Sequence, residues 1–477
     1  MAKLSSNDKA FQDFALNGNM GRLMIHVCLP LTLYQSLNQL FRMMDTMLAS
    51  MISASTVTTV AYLSTISTML SALGAGLAVG ASIKVSEAFG AKNYDLVRTR
   101  VSTLFAMCGI LSAAILAVCV PFAPQVLRLF GAPADLIAQG TTYFVLELVG
   151  MVVSFFNNVY IAIERARGNS RRIFWLNMVV ALTKLALSLL FVLGWEPMGF
   201  GKPTIELLSV ATLLSQCVIL FASFYYLSRK GNVFSFSFSA ISFRRSVVGP
   251  MLGLSFPIIV EKFAFSYGKV LVNSMCAGED LGYHPDTVGA TSVSNRISGI
   301  AITPQNGFQE GGSAIISQNL GAGKPERAVS AFRHMLGIDL VVAFALMVTS
   351  LLILEPLSKL AAAGNSEFAA MIATVYRYEA VAIIPLAVHS ATMGLLYGIS
   401  KTKLTLVMNF CRVFVFRVPV LYFLQNWTVM GRTDGPNTIG LCLAISNTLC
   451  GILAAVIAFV EIRKLCRKYN IQPGRHK

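Results

Sequence analysis

The sequence predicts an all-α integral membrane protein with twelve transmembrane helices. They form two parallel six-helix bundles related by a pseudo-two-fold axis along the membrane normal. Three observations carry this. The chain is 55% hydrophobic and only 13% charged, about half the charge fraction usual in soluble domains, and its mean hydropathy is +0.67. Apolar runs of about 20 residues or more recur along its whole length, each enough to cross a bilayer. One stretch is written twice, without a gap: Gly80-Ala81-Ser82-Ile83-Lys84-Val85-Ser86-Glu87-Ala88-Phe89-Gly90-Ala91 returns as Gly311-Gly312-Ser313-Ala314-Ile315-Ile316-Ser317-Gln318-Asn319-Leu320-Gly321-Ala322, identical at five of twelve positions. A repeat near half the chain length marks a duplicated architecture.

The twelve spans fall at 22–50, 55–84, 97–122, 139–165, 172–195, 204–229, 247–276, 286–316, 327–354, 370–397, 403–426 and 437–463. Several are longer than a straight crossing needs, so they tilt, kink or protrude. Pro30, Pro257, Pro304 and Pro385 fall inside spans, where a proline bends a helix and frees a carbonyl. Further echoes pair Pro30 with Pro257, Pro124 with Pro356, Gly168 and Ser170 with Gly398 and Ser400, and Trp195 with Trp427, at offsets of 227 to 232. The organisation expected is a polar N-terminal segment (1–20), a first bundle (21–230), a connecting loop (231–246), a second bundle (247–463) and a basic tail (464–477). In the loop, Phe234-Ser235-Phe236-Ser237-Phe238 alternates with period two, as an extended or interfacial segment does.

Of the 38 Lys and Arg residues, 26 gather in the termini and in alternate connections, and only Arg128, Lys202, Lys359 and Arg432 lie on the other side. The positive-inside rule then places both termini in the cytoplasm of a plasma-membrane protein. The net charge of +16 belongs to these short loops, so nucleic acid is not the expected partner. The nine cysteines make no CxxC pair, and the five histidines have no metal spacing. HExxH, GxSxG and a phosphate-binding GxxxxGK[ST] are all absent. No enzyme, metal or cofactor is expected, and a membrane-embedded enzyme would need a nucleophile–base pair that does not stand out.

Eight bases lie inside spans: Arg42, Lys184, Lys262, Lys269, Arg296, Arg377, Arg412 and Arg417. Each costs about 3 kcal/mol or more at the bilayer centre, so a polar interior is expected. Polar residues share helical faces: Gln35, Asn38, Arg42 and Asp45 in span 1; Glu147, Ser154 and Asn158 in span 4; Asn177, Lys184 and Ser188 in span 5; Lys262, Ser266, Lys269 and Asn273 in span 7; Asn295, Ser298, Gln305 and Gln309 in span 8. Glu261 and Glu379 are read as the second half's intramembrane carboxylates. The pathway expected for substrate is lined by Gln35, Asn38, Glu147, Asn177, Glu261, Lys262, Lys269, Asn273, Gln305, Gln309, Glu379 and Arg412.

Several motifs together resemble the multidrug and toxic compound extrusion (MATE) family of secondary efflux transporters. They are Leu29-Pro30-Leu31 with Asp45-Thr46, the Gly80 to Ala91 stretch, Phe130-Gly131-Ala132-Pro133, Asn158 with Gly168-Asn169-Ser170, Ser317 to Gly323, and Arg412-Val413-Phe414-Val415-Phe416-Arg417-Val418-Pro419. The similarity runs from about Gly21 to Lys468. It implies a V-shaped pair of bundles that alternates between inward and outward states, and proton- or sodium-driven export of small amphipathic compounds (drugs, toxins or metabolites), with no cofactor and the protein acting as a monomer. It also implies a coupling acid at Asp45. The family's second acid, in span 5, is replaced by Ser188, a usual Asn there by Lys184, and Arg42 precedes Asp45. The coupling site expected is therefore Asp45 with Arg42, Lys184, Ser188 and Asn158, a tethered cation standing where an ion would bind. Fixed bases disfavour sodium and leave the proton as the coupling ion. The same bases raise anionic or zwitterionic metabolites as substrates. A flippase for a lipid-linked head group, from the wider superfamily, is the other alternative.

Overall fold

The computed structural model describes residues 5–52, 54–129, 134–194, 205–228, 232–276, 283–284, 286–362, 365–427 and 433–471. These residues are helical almost throughout: α1 (Ser6–Asn17), α2 (Met20–Ile52), α3 (Ala54–Gly90), α4 (Tyr94–Cys119), α5 (Ala123–Leu129), α6 (Ala134–Ala166), α7 (Ser170–Leu189), α8 (Ile205–Leu227), α9 (Arg245–Cys276), α10 (Thr287–Ile302), α11 (Gln305–Gly321), α12 (Pro325–Leu352), α13 (Leu354–Ala361), α14 (Ser366–Val381), α15 (Ile383–Gly398), α16 (Thr402–Phe410), α17 (Val418–Trp427) and α18 (Gly435–Lys468). Among them nine spans are long and apolar enough to cross a membrane, and ten if the pair α14–α15, bent by 51°, counts as one. The helix α2 and the pair α10–α11 occupy the other two positions of the expected twelve. The protein is an all-α integral membrane protein.

Prolines break the helices unequally. Pro30 and Pro257 stay inside continuous helices, whereas Pro304 sits at the break between α10 and α11. Pro385 follows the α14–α15 break by one turn. A short π-helical turn interrupts the eleventh span at Cys411–Arg417, and another, at Leu190–Gly194, ends the described part of the fifth; single π turns of this kind favour functional positions.

The chain forms two compact units. The first holds residues up to Asp13 and Leu40–Phe263; the second holds Phe14–Gln39 and everything from Ala264 on. The opening turns of α2 therefore belong with the second unit, and those of α9 with the first. The duplicated stretch explains the exchange. Within the first unit, a Cβ at Gly80 of α3 would collide with the Ser255 backbone of α9. Within the second, a Cβ at Gly311 of α11 would stand 2.8 Å from the Cys28 Sγ of α2. Cys28 and Ser255 are separated by the same offset as Pro30 and Pro257. Each copy thus uses its missing side chain to admit the same helix of the opposite half.

Backbone conformation repeats as well. Lys92 (φ 58°) and Gly323 (φ 69°) close α3 and α11 in the left-handed region, at the offset of the duplicated stretch itself. Gly168 (φ 78°) and Ser400 (φ 62°) close α6 and α15. Each is the left-handed turn that ends a helix with a 6→1 hydrogen bond, made here by Asn93, Lys324, Asn169 and Lys401 N–H. This corrects the sequence pairing: Gly168 matches Ser400, at the offset shared by Pro124/Pro356 and Trp195/Trp427.

The polar N-terminal segment carries a docked helix. Asp8 of α1 is 2% exposed and accepts two hydrogen bonds from Arg167, at 3.1 and 3.0 Å. Arg167 also donates to Glu164 at 3.1 Å, and Glu164 takes Arg172 and Asn169 on its other oxygen at 3.1 and 2.9 Å. Burial pulls the Arg167 pKa down, and the Glu164 and Asp8 carboxylates more than reverse it, leaving it above the ordinary guanidinium value. In the second unit, Lys401, next to Ser400, pairs with buried Glu461, which also holds Lys464 at 3.0 Å. The described part of the connection, residues 232–244, lies on α3 and α4: Phe234 is fully buried against Phe89 of α3, Ser237 N–H donates to Ser102 of α4, and the run ends in a 3-10 turn at Phe238–Ala240.

Two outcomes follow for stability, both read as the thermal midpoint of detergent-solubilised protein. Arg167→Met leaves buried Asp8 without its base and takes one of two bases from Glu164, and costs about 3–5 kcal/mol; Arg167→Lys recovers only part, since an ammonium cannot fork to both acids. Ser400→Gly removes a left-handed side chain and stabilises by about 1 kcal/mol.

Candidate functional site

In the first unit the expected residues lie on α6, α7 and α9. Glu147 of α6 accepts the Ser209 hydroxyl of α8 at 3.1 Å. Asn158 is half-buried, and its neighbour Asn157 makes the inter-helix contact, donating to the Gln216 carbonyl and side-chain oxygens at 2.9 and 2.7 Å. Asn177 donates to Ile173 on its own helix. Lys184 is half-buried one turn before Ser188. Ser188 is 1% exposed, its hydroxyl has no hydrogen-bond partner among the described residues, and the π turn starts two residues later. Glu261 is buried and Lys262 half-buried on α9. Arg42 and Asp45 lie on α2, and their side chains fall outside the described residues.

In the second unit one cluster forms around the π turn of the eleventh span. Helical periodicity puts residues three or four apart on one face; a π turn bonds i to i+5 and so brings Arg412 and Arg417 together. Arg412 Nε donates to Asn447 Oδ1 at 3.0 Å, and an Arg417 terminal nitrogen donates to the same oxygen at 2.8 Å. Arg417 Nε adds Ser446 at 3.2 Å. Opposite, on α14, Glu379 is 3% exposed and accepts Ser294 of α10 at 2.9 Å. The Arg417 and Lys269 charges both act on Glu379. The Phe265 ring is shared by two cations, Lys269 Nζ at 4.8 Å and the Arg412 guanidinium carbon at 5.2 Å. The Arg412 charge also reaches His389 of α15, which hydrogen-bonds Asn409 at 3.1 Å.

Three of the expected pathway residues, Lys269, Glu379 and Arg412, therefore come together. Others do not join them. Gln305 is a brace: its amide donates to the Ile383 carbonyl at 3.3 Å and its own carbonyl accepts Ser390 at 2.8 Å, tying one helix break to another. Gln35 and Asn38 are half-buried on α2, and the adjacent Gln39 makes the contact, donating to the Arg296 carbonyl at 3.1 Å. Gln309 is half-buried, its backbone against Gly394, and Asn273 is exposed on α9. The structure adds Arg417, Asn447, Ser446, Ser294, His389 and Asn409. Arg417 was visible as an intramembrane base, but its spacing of five from Arg412 hid their shared face. Two further carboxylates of the second half lie on span helices, Glu310 of α11 and Asp339 of α12; they join Glu379 and Glu261 and correct the reading of two.

The cluster has three cations to one carboxylate among the described residues, with an aromatic ring between two of the cations. Such a site can hold a carboxylate or phosphate, or a planar group stacked on Phe265.

A family model, MatE, matches residues 30–190 and 257–423, one segment in each half. The chain is 22% identical over 276 residues to the probable multidrug resistance protein YoeA of Bacillus subtilis, covering 57% of this chain and 58% of that protein. It is 21% identical over 443 residues to the FAD transporter of Shewanella oneidensis, covering 93% and 95%. Its fold matches the solved structure of a MOP superfamily transporter from Pyrococcus furiosus, described as having a binding pocket of reversed polarity, with a TM-score of 0.87 at 19% identity over 97% of this chain and 99% of that one. The duplicated six-span plan and the matches in both halves lead to one conclusion: the chain belongs to the MatE family of membrane transporters.

Proposed function

We propose that this protein is a secondary active antiporter of the plasma membrane, with both termini cytoplasmic, exporting small amphipathic compounds by alternating access and driven by protons. It acts as a monomer. The observation that carries the reading is the cluster of Lys269, Glu379, Arg412 and Arg417 inside apolar helices of a family of transporters. Ionisable groups at that depth are costly, and a transport pathway is the usual reason for keeping them. Coupling is assigned to Asp45 with Arg42, Lys184, Ser188 and Asn158. A bound sodium ion there would meet two fixed bases, whereas a proton on Asp45 would release them.

One observation favours a second reading of the substrate. The second-unit cluster carries an excess of positive charge, and its two guanidiniums share a neutral Asn447 oxygen in place of a carboxylate. That suits an anionic or zwitterionic aromatic metabolite, and one relative is named for FAD.

Transport in proteoliposomes tests both. An imposed pH gradient is expected to drive uphill movement of a probe, a sodium gradient alone is not, and Asp45→Asn abolishes the pH-driven component; sodium-driven movement, or movement without either gradient, overturns the coupling. Ethidium and FAD, run side by side, separate cationic from anionic substrates. Asn447→Asp neutralises part of the cluster and is expected to lower FAD transport about tenfold relative to ethidium, while Asn447→Leu takes an acceptor from both guanidiniums and costs roughly 1–3 kcal/mol of stability.

A further inference from the structure

One buried acid belongs to none of these networks. Asp339 is 0% exposed and lies midway along α12, a span of 28 residues with mean hydropathy 2.3. It continues a buried face of Ala328, Ala331, Phe332, Met335 and Ala343, which packs on α11 and α15. Neither of its oxygens meets a hydrogen-bond donor among the described residues. The Cys28 thiol of α2 lies within reach of its charge. The other titratable groups on the elements packed against α12 include Arg296 on α10, which is exposed; Glu310 on α11; His389, bonded to Asn409, and Tyr397 on α15; Tyr376, exposed Arg377, Tyr378 and Glu379, the last bonded to Ser294, on α14; and Glu355 on α13, paired with Lys359. On α12 itself, Arg333 and His334 are exposed and off the buried face. No cation faces Asp339 among the described residues, and a bare anion in such packing is prohibitive, whereas the neutral acid is not.

We propose that Asp339 is a proton-carrying group of the transport cycle, a second coupling site in the opposite half from Asp45; this rests on the proton-driven reading above. In the packed state described here the carboxyl holds its proton. When the helices around α12 part and water enters, the O–H bond breaks, the proton passes to water as hydronium, and the carboxylate stays hydrated. Reprotonation from the side of higher proton activity lets the helices close again. The packing next to Asp339 suits such parting. A Cβ at Gly312 of α11 would collide with the Met335 sulfur, and one at Gly394 of α15 would stand 3.2 Å from its methyl. Met335 is one turn from Asp339, so this face meets its neighbours through a flexible thioether on bare glycine backbone.

Asp339→Asn keeps the shape and the neutral state while removing the proton. Its thermal midpoint is expected to match wild type, its ethidium exchange at equal pH on both sides to persist, and its pH-driven ethidium accumulation to fall about tenfold or more. Infrared difference spectra of the wild type are expected to show a buried carboxylic-acid carbonyl band that titrates with pH and is missing from Asp339→Asn. Unchanged pH-driven accumulation in the variant, or a wild-type spectrum with no such band or one that never titrates, overturns the inference. A wild type indifferent to the pH gradient overturns the proton-driven reading itself, so the two failures are told apart. The spectrum of the wild type decides the case if the variant does not fold.

Discussion

An ion inside an apolar helix bundle must be neutralised, hydrogen-bonded or removed, because the surroundings offer no water to share the charge. This constraint sorts the polar groups of the protein into three kinds. At the turn after α6, two acids meet two bases: Asp8 and Glu164 with Arg167 and Arg172, every contact between 3.0 and 3.1 Å. That network balances, and it holds the opening turns of α1, up to Asp13, in the first unit. Around the eleventh span, three bases act near one acid, and two of them lean on a neutral amide. That network is short of negative charge. Asp339 stands apart, with neither base nor donor among the described residues. Balance reads as structure; imbalance marks positions where a further charge enters or leaves.

The duplication shows how one plan carries two chemistries. What the halves share is backbone: the left-handed turns at Lys92 and Gly323 and at Gly168 and Ser400, and the small residues Gly80 and Gly311 that admit the opposite half's first helix. These positions are set by hard-sphere sterics, which tolerate little variation. What the halves do not share is the interior. Their fifth and eleventh spans both contain a π turn, yet the first unit has Lys184 and Ser188 just before it and the second has Arg412 and Arg417 within it. A π turn re-aims side chains relative to the 3.6-residue period, so each half can present a different set from the same scaffold.

Most of the fold was legible because hydropathy and charge act over long windows. A long unbroken apolar run admits few structures, and the repeat offset survives substitution. The parts that escaped are local departures from periodicity. A helical repeat of about 3.6 cannot show that positions five apart share a face, which hid Arg417 behind Arg412. It also could not tell which of two adjacent polar residues points to a neighbour: Asn157 and Gln39 make the contacts that Asn158 and Asn38 were expected to make. Gln305 read as pathway because it continues the polar face of Asn295 and Ser298, and the break at Pro304 turned it into a brace. Asp339 was overlooked among the apolar residues of its span, since a lone acid without a polar stripe gives no pattern. The stretch before Gly21 read as a polar segment, because a helix as short as α1 is marginal alone. Its stability comes in large part from Arg167, which lies far along the chain beyond five further helices.

The magnitudes favour a single buried carboxyl as an effective coupling device. Turning a two-state equilibrium from 1:99 to 99:1 takes about 5.5 kcal/mol of differential affinity. An ion moved from water to a protein interior loses several kcal/mol even after relaxation. One proton on one unpartnered acid therefore commands a free energy comparable to that needed to switch the state of a helix bundle. Adding a base beside Asp339 would cancel most of that difference, because the anion would then be nearly as comfortable as the acid. The lack of a facing cation among the described residues is thus the property that makes Asp339 responsive, just as the presence of two guanidiniums makes Asn447 a poor sensor of protons and a good holder of charge. Proton and anion sites call for opposite surroundings, and the second unit keeps them on different helices, α12 for one and the π-turn span with α18 for the other.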